Sequence, residues 1–192
     1  MRDETHRRRR RDVVHAVTLD TPKQLGQAPP TFASVAETLL DDVFGYLLYL
    51  TKDRSLAEDL TGETFEAAFR RWRAFDPRRG SARGWLLAIA RTQALDWFRA
   101  DARRRRREIR AGTGDVHEAS ELDLGEGFSP ELEAGLRELS AGEREVVVLR
   151  VVLELDGDET ARLLGITQTA VSTRLHRALG KLEERMRHHD VA

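Results

Sequence analysis

From Phe32 onward, apolar and polar positions alternate at three- and four-residue spacing. Val35, Leu39, Val43, Tyr46, Leu47 and Leu50 fall on one face of a helix with that period. Thr51 or Asp53 can cap a second helix, whose apolar set is Leu56, Leu60, Phe65, Phe69 and Trp72 and which ends near Phe75. Asp76-Pro77 and Gly80-Ser81 then predict a loop, because Pro disfavours helix before it and Gly permits positive φ. From Ala82 a third helix carries Trp85, Leu86, Ile89, Ala90, Ala94, Trp97 and Phe98 and extends through an arginine run to about Ile109. Unbroken, it spans about 42 Å.

The period is lost over 111–129, where four glycines (112, 114, 125, 127) predict a linker. It resumes after Ser129-Pro130, a capping residue followed by Pro at the first helical position. Helices are expected over 130–139, 142–153, 157–164 and 167–187. Val146 to Leu153 is rich in β-branched residues, but no second run of that kind exists to pair with it as a strand. Residues 1–31 combine an arginine run with Thr21-Pro22 and Pro29-Pro30 and hold few large apolar residues, so disorder is expected there. The expected fold is all-α: two small helical modules joined by a flexible acidic linker, the C-terminal one a helix-turn-helix.

Composition narrows the classes. The chain has 192 residues, enough for one domain or two small ones. Cysteine is absent, which excludes disulfide frameworks, thiol nucleophiles and cysteine-ligated zinc. The longest apolar stretch, Val146 to Leu153, is broken by Arg150, and no signal-peptide core follows the basic N-terminus. A cytoplasmic protein without membrane insertion is expected. The six histidines (6, 15, 117, 176, 188, 189) show no metal-ligand spacing with carboxylates, and no catalytic constellation is visible. Neither an enzyme nor a metal or other cofactor is expected.

A formal net charge of −1 conceals strong segregation. Met1 to Arg11 is net +4, and Arg78 to Arg110 holds eleven Arg against three acids, net +8. Ala111 to Leu136 has seven acids and no Lys or Arg. Arg137 to Ile166 is net −3, and Thr167 to His189 is net +3. Two basic surfaces separated by an acidic connector suit two contacts with a polyanion; solvated helix faces and a basic tail are the plainer explanation.

Asp158 to Ser172 is the most specific stretch. Ala161 is small where two helices must approach closely, Gly165 ends the first helix in a left-handed residue, Ile166 plugs the turn and Thr167 can cap the second helix. Val171, Leu175 and Leu179 turn that helix toward the core. Gln168, Thr169, Ser172, Thr173, His176 and Arg177 are then exposed, with side chains suited to base edges and phosphates. An ordinary helical hairpin shares the small residue and the glycine, but not the basic second helix in the same register. The third helix adds Trp85, Trp97 and Phe98 beside dense arginines, which suits unstacked bases and phosphates if the tryptophans are not simply core.

Together, Ala57 to Phe65, Gly84 to Arg91, Ala94 to Arg99, Leu139 to Glu145 and the helix-turn-helix through Arg174-Leu175-His176-Arg177-Ala178 resemble an extracytoplasmic-function sigma factor. The resemblance covers roughly residues 32–188. It implies a polymerase- and minus-10-binding region 2 over 32–110, an acidic linker over 111–129, and a minus-35-binding region 4 over 130–192; the basic extension over 1–31 lies outside it and is unusual for the family. It further implies that Asp59, Glu63, Glu66, Arg70 and Arg73 dock on core RNA polymerase. Arg78, Arg79, Ser81, Trp85, Thr92 and Arg99 would meet the minus-10 strand. Gln168, Thr169, Ser172, Thr173, Arg174, His176 and Arg177 would meet the minus-35 duplex. Core RNA polymerase, promoter DNA and an anti-sigma factor are the implied partners. Three positions depart from the family pattern: Gly62 where Gln is usual, Thr92 where Asn is frequent, and Ser172 where Lys or Arg is common. A free-standing helix-turn-helix repressor or activator, and an all-α adaptor that binds no DNA, are the competing classes.

Overall fold

The structure, a computed structural model, describes residues 31–111 and 130–189. The expected disordered extension (apart from Thr31) and the expected linker (apart from Ala111) lie outside the described residues. All regular elements among the described residues are helical. Helix α1 spans Phe32–Thr51, α2 Arg54–Arg71 and α3 Ala82–Ala111, with a single 3₁₀ turn at Trp72–Ala74. Helix α4 spans Pro130–Glu138 and α5 Ala141–Val147, which runs on as a π turn over Val148–Val152. Helix α6 spans Gly157–Leu164 and α7 Gln168–His189.

Local chemistry sets the boundaries. The Thr31 hydroxyl caps α1 by accepting from the Ser34 N–H at 3.2 Å, and the Asp53 carboxylate caps α2 from Leu56 at 3.0 Å. Between them, Lys52 takes a left-handed φ of 58°, which turns the chain sharply enough for the two helices to pack. Ser140 and Glu143 form a reciprocal capping box at the start of α5.

The inward face of α2 is not the one expected. It is built from Ala57, Leu60, Thr61, Thr64, Ala67 and Ala68, an unbroken stripe of mostly small residues that brings α2 close to its neighbours. Leu56 and Phe65 pack only at its margin, and Phe69 is 66% exposed, its ring resting on Phe32 at 5.3 Å. In α7, likewise, Leu179 is exposed and not buried as expected; Ala178 and Leu182 take the inward positions. Leu182 comes so close to α4 that a side chain at Gly135 would meet it at 2.9 Å.

The β-branched run that could be mistaken for a strand is the hinge of the molecule. Val146 packs with Ala161 and Val171, and Val147 packs with Leu136, Leu139 and Ala178. Leu149, Leu153 and Leu155 turn the other way and enter the core formed by Val43, Leu47, Leu86, Leu87 and Ala90 of α1 and α3. The bond from Leu153 N–H to the Val148 carbonyl spans five residues, the π spacing, and the six-residue bond from Leu155 N–H to the Leu149 carbonyl closes the chain beyond that turn. The two helical modules therefore share one apolar core.

Candidate nucleic-acid interface

On α2, Asp59, Glu63, Glu66 and Arg70 follow one another at four-, three- and four-residue steps, so they form one exposed face. Glu66 and Arg70 pair at 2.7 Å. Arg73 is exposed in the 3₁₀ turn beyond the helix. Gly62 lies within this face, and a Cβ there would meet nothing within 4 Å, so packing does not demand the glycine.

The loop between α2 and α3 is organised by Asp76, whose carboxylate accepts from the Arg78 N–H at 2.9 Å while its carbonyl accepts from Arg79 at 3.0 Å. Gly80 has a φ of 154°, and Ser81 caps α3 by accepting from the Gly84 N–H at 3.0 Å. Behind the loop, Phe75 stacks on Trp72 at 5.0 Å, and both rings lean on Trp85 at 5.3 and 5.9 Å. A cleft of about 370 Å³ opens here, lined among others by Phe75, Arg79, Ser81, Trp85, Glu159 and Arg162. Arg79, Ser81 and Trp85 of the expected minus-10 set thus come together. Arg78 is exposed in the same loop. Thr92 and Arg99 do not line the cleft; they follow Trp85 at seven-residue steps, about 10 Å each, along one side of α3. The Thr92 hydroxyl donates to the Ala88 carbonyl at 2.8 Å, and Arg99 pairs with Asp96 at 2.8 Å.

Further along α3, Asp101 is buried and pairs with both Arg104 and Arg105. Arg103, Arg106, Arg107 and Arg110 line a shallow groove on the helix.

The helix-turn-helix is built as its residues require. Asp156 caps α6 by accepting from the Glu159 N–H at 2.7 Å, and Gly165 closes it with a φ of 68°. The Thr167 hydroxyl caps α7 from Ala170 at 3.1 Å. Ala161 and Val171 meet Val146 in the core of the motif, and Ile166 packs against them. Gln168, Thr169, Ser172, Thr173, His176 and Arg177 are exposed along α7. Arg174 is half-buried instead, with its guanidinium where a side chain at Gly142 would sit.

A polar seam joins the two modules. The Glu145 carboxylate accepts from the Tyr46 hydroxyl at 2.9 Å and from Arg91 Nε at 3.0 Å. Burial first, then Glu145, raises the Tyr46 hydroxyl well above the ordinary tyrosine range, and the same causes push Tyr49 up to about 12. Burial opposes the charge on Arg91, but the hydrogen bond and charge of Glu145 outweigh it and raise the guanidinium further. Arg83 pairs with Asp42 at 2.8 Å and donates to the Leu153 carbonyl at 3.2 Å. The Ser81 N–H donates to Glu159 at 2.6 Å. These partners lie tens of residues apart, and no local spacing marks them.

Two helical units, the second ending in a helix-turn-helix with a polar and basic outer face, have the architecture of a DNA-binding protein. Sequence comparison gives the family. Sigma-70 region 2 matches residues 35–105, and Sigma-70, region 4 matches residues 130–182. The ECF RNA polymerase sigma factor SigX of Bacillus subtilis (strain 168) is 31% identical over 163 residues, covering 81% of this chain and 84% of that protein. The ECF RNA polymerase sigma factor BldN of Streptomyces coelicolor is 31% identical over 182 residues, covering 89% of this chain and 66% of that protein. Two solved structures share the fold. The sigma factor RpoE from Bartonella quintana, in complex with the anti-sigma factor NepR, aligns with a TM-score of 0.60 at 23% identity, over 81% of this chain and 96% of that chain. CnrH, in complex with the cytosolic domain of CnrY, aligns with a TM-score of 0.54 at 24% identity, over 81% and 86%. The chain belongs to the extracytoplasmic-function sigma factors of bacterial RNA polymerase, a family without catalytic activity of its own. No helix among the described residues is long and apolar enough to cross a membrane.

Proposed function

We propose that this sigma factor selects the promoters of a signal-responsive regulon through two separate surfaces. Residues 32–110 form the region 2 module. Its α2 face of Asp59, Glu63, Glu66, Arg70 and Arg73 docks on core polymerase. The loop carrying Arg78, Arg79 and Ser81, with Trp85, Thr92 and Arg99 on α3, holds the opened minus-10 strand. Unstacking costs a few kcal/mol per step, which a captured base and phosphate contacts offset. Residues 130–192 form the region 4 module, whose Gln168, Thr169, Ser172, Thr173, His176 and Arg177 read the minus-35 duplex, with Arg174 packed behind them against Gly142. Residues 111–129 tether the two as an acidic linker, and residues 1–31 add a basic extension. The factor acts in the cytoplasm, where its polymerase and promoter are, and an anti-sigma factor restrains it.

The helix-turn-helix carries the reading: Gly165 and Thr167 fix α7 so that six short polar or basic side chains point outward. Transcription of fragmented genomic DNA by core polymerase plus this chain, with start sites mapped, tests it. Start sites sharing common upstream elements are expected, and the double charge reversal Asp59→Lys, Glu63→Lys should abolish them while the thermal melt stays near wild type. Tight, specific duplex binding without polymerase, and no initiation with it, would instead favour a free-standing repressor or activator.

A further inference from the structure

We infer that Arg103, Arg106, Arg107 and Arg110 form a rail for the phosphates of double-stranded DNA, set to hold the duplex between the minus-10 and minus-35 elements. The placement on the promoter rests on the proposed minus-10 role of α3; the affinity for duplex phosphates does not.

The four arginines follow one another on α3 at three-, one- and three-residue steps, so they share one face about 10 Å long. All four are exposed, and together they line one shallow groove. The nearby acids are engaged elsewhere. Asp101 pairs with Arg104 and Arg105, and Glu108 lies 3.9 Å from Arg104. Among the described residues no ion pair joins the four rail arginines to a carboxylate. A merely solvated helix face interleaves opposite charges. Here Arg103 and Arg107, and Arg106 and Arg110, are like-charged neighbours one turn apart, which destabilises the helix. The helix dipole favours a cation in the last turn, which accounts for Arg110 but not for Arg103.

The chemistry of this face selects its ligand. Guanidinium groups fork onto phosphate oxygens. Phosphates of one strand recur about every 3.4 Å along a duplex, so a face about 10 Å long reaches about three of them. From Ala100 to Ala111 the helix carries no aromatic residue, so nothing there stacks an unpaired base, in contrast with Trp85 and the Phe75 ring against it. Backbone contact without base reading remains, and it positions DNA without choosing a sequence. The rail is continuous with the proposed minus-10 surface, because Trp85, Thr92, Arg99 and Arg106 follow one another at seven-residue steps along one side of α3. A strand held open at Trp85 and Thr92 would rejoin its duplex toward Arg106. Arg110 stands next to the end of α3, from which the chain continues to region 4, so the rail lies on the minus-35 side.

The test titrates the full chain into a fluorescein-labelled, mixed-sequence DNA duplex and reads anisotropy between about 50 and 200 mM salt. The quadruple variant Arg103→Gln, Arg106→Gln, Arg107→Gln, Arg110→Gln should lower the slope of log affinity against log salt by about 3, at roughly 0.9 for each phosphate lost. Raising the salt fourfold should then weaken the wild type about 40-fold more than the variant. The control Arg54→Gln, Arg71→Gln, Arg185→Gln, Arg187→Gln removes the same charge from exposed positions off the rail and should lower the slope by less than about 1. Equal changes in the two variants would overturn the inference, because they would report net charge alone. A photoreactive amino acid replacing Arg106 in the holoenzyme–promoter complex reads the placement with the other three arginines intact. It should label double-stranded DNA between the two promoter elements. Labelling of an opened strand, or of polymerase alone, would overturn the inference. Failure of the parent reading looks different: the holoenzyme would open no promoter, while the salt slopes of the free chain would still separate the two quadruple variants.

Discussion

Glu145, Tyr46 and Arg91 provide the sharpest energetic prediction, because three polar groups from α1, α3 and α5 satisfy one another at the seam between the modules. Arg91 and Glu145 have side chains 24% and 17% exposed, so water screens the pair only partly. A hydrogen bond to a charged acceptor contributes roughly 1.5–3 kcal/mol, and breaking a buried pair from one side costs roughly 3–5 kcal/mol. Tyr46→Phe should therefore destabilise the chain by about 2 kcal/mol. Glu145→Ala should cost about 3 kcal/mol, because it strands both the tyrosine hydroxyl and the guanidinium. If the Tyr46 bond is made to Glu145, the double variant should fall short of the sum by about 1.5 kcal/mol. Urea denaturation of the four proteins at pH 7 measures this. A coupling below about 0.5 kcal/mol would refute the seam. A pH series gives a second reading of the same bond. The folded-state pKa of Tyr46 is raised above its unfolded value of 10.0, so its contribution is complete below pH 10 and is lost as pH rises toward the folded value. The wild type should lose stability above pH 10, and Tyr46→Phe should lose less.

Three further outcomes follow from other sites. Gly62→Gln fills open space on an exposed helix face, so it should raise stability by about 0.5–1 kcal/mol in thermal melts and strengthen core polymerase binding in a pull-down titration. Arg177→Ala should weaken holoenzyme binding to the minus-35 element by about 1–3 kcal/mol and relax base preference at one position of a promoter library. Hydrogen bonds from Lys181 at 2.8 and 3.0 Å, then those from Ser140, hold Glu143 down at about 2. A lowered folded value means the contribution is present above the ordinary glutamate pKa of 4.5 and disappears as pH falls toward 2. Lys181→Met should accordingly cost about 1 kcal/mol at pH 7 and little at pH 2, measured by urea titration at each pH.

What could be read from the chain was what each helix does for its own neighbours. Val35, Leu39, Val43, Tyr46 and Leu47 bury one face of α1 as their spacing predicts, and Gly165 takes the left-handed conformation that the turn requires. Aromatic size misled in α2: Phe69 counts toward an apolar period, yet the helices approach so closely that Ala57, Thr64 and Ala68 occupy the interior and the ring is left outside. The same holds at Leu179, where Ala178 fits the junction with α4 and α5. Arg174 has the position of a base-reading residue, but it packs against Gly142, an outcome set by a neighbour 32 positions away. The shared core and the Glu145 seam depend on such distant pairings throughout, and periodicity within a window of one helix contains no information about them.

If the two modules act as proposed, two separate surfaces of one chain touch two promoter elements. Photo-crosslinking in the assembled holoenzyme–promoter complex tests it directly, with a photoreactive amino acid replacing Thr173 in one protein and Thr92 in another. Position 173 should label duplex DNA near the minus-35 element, and position 92 should label a single strand near the minus-10 element. Labelling of the same element by both positions, or of polymerase alone by position 173, would contradict it.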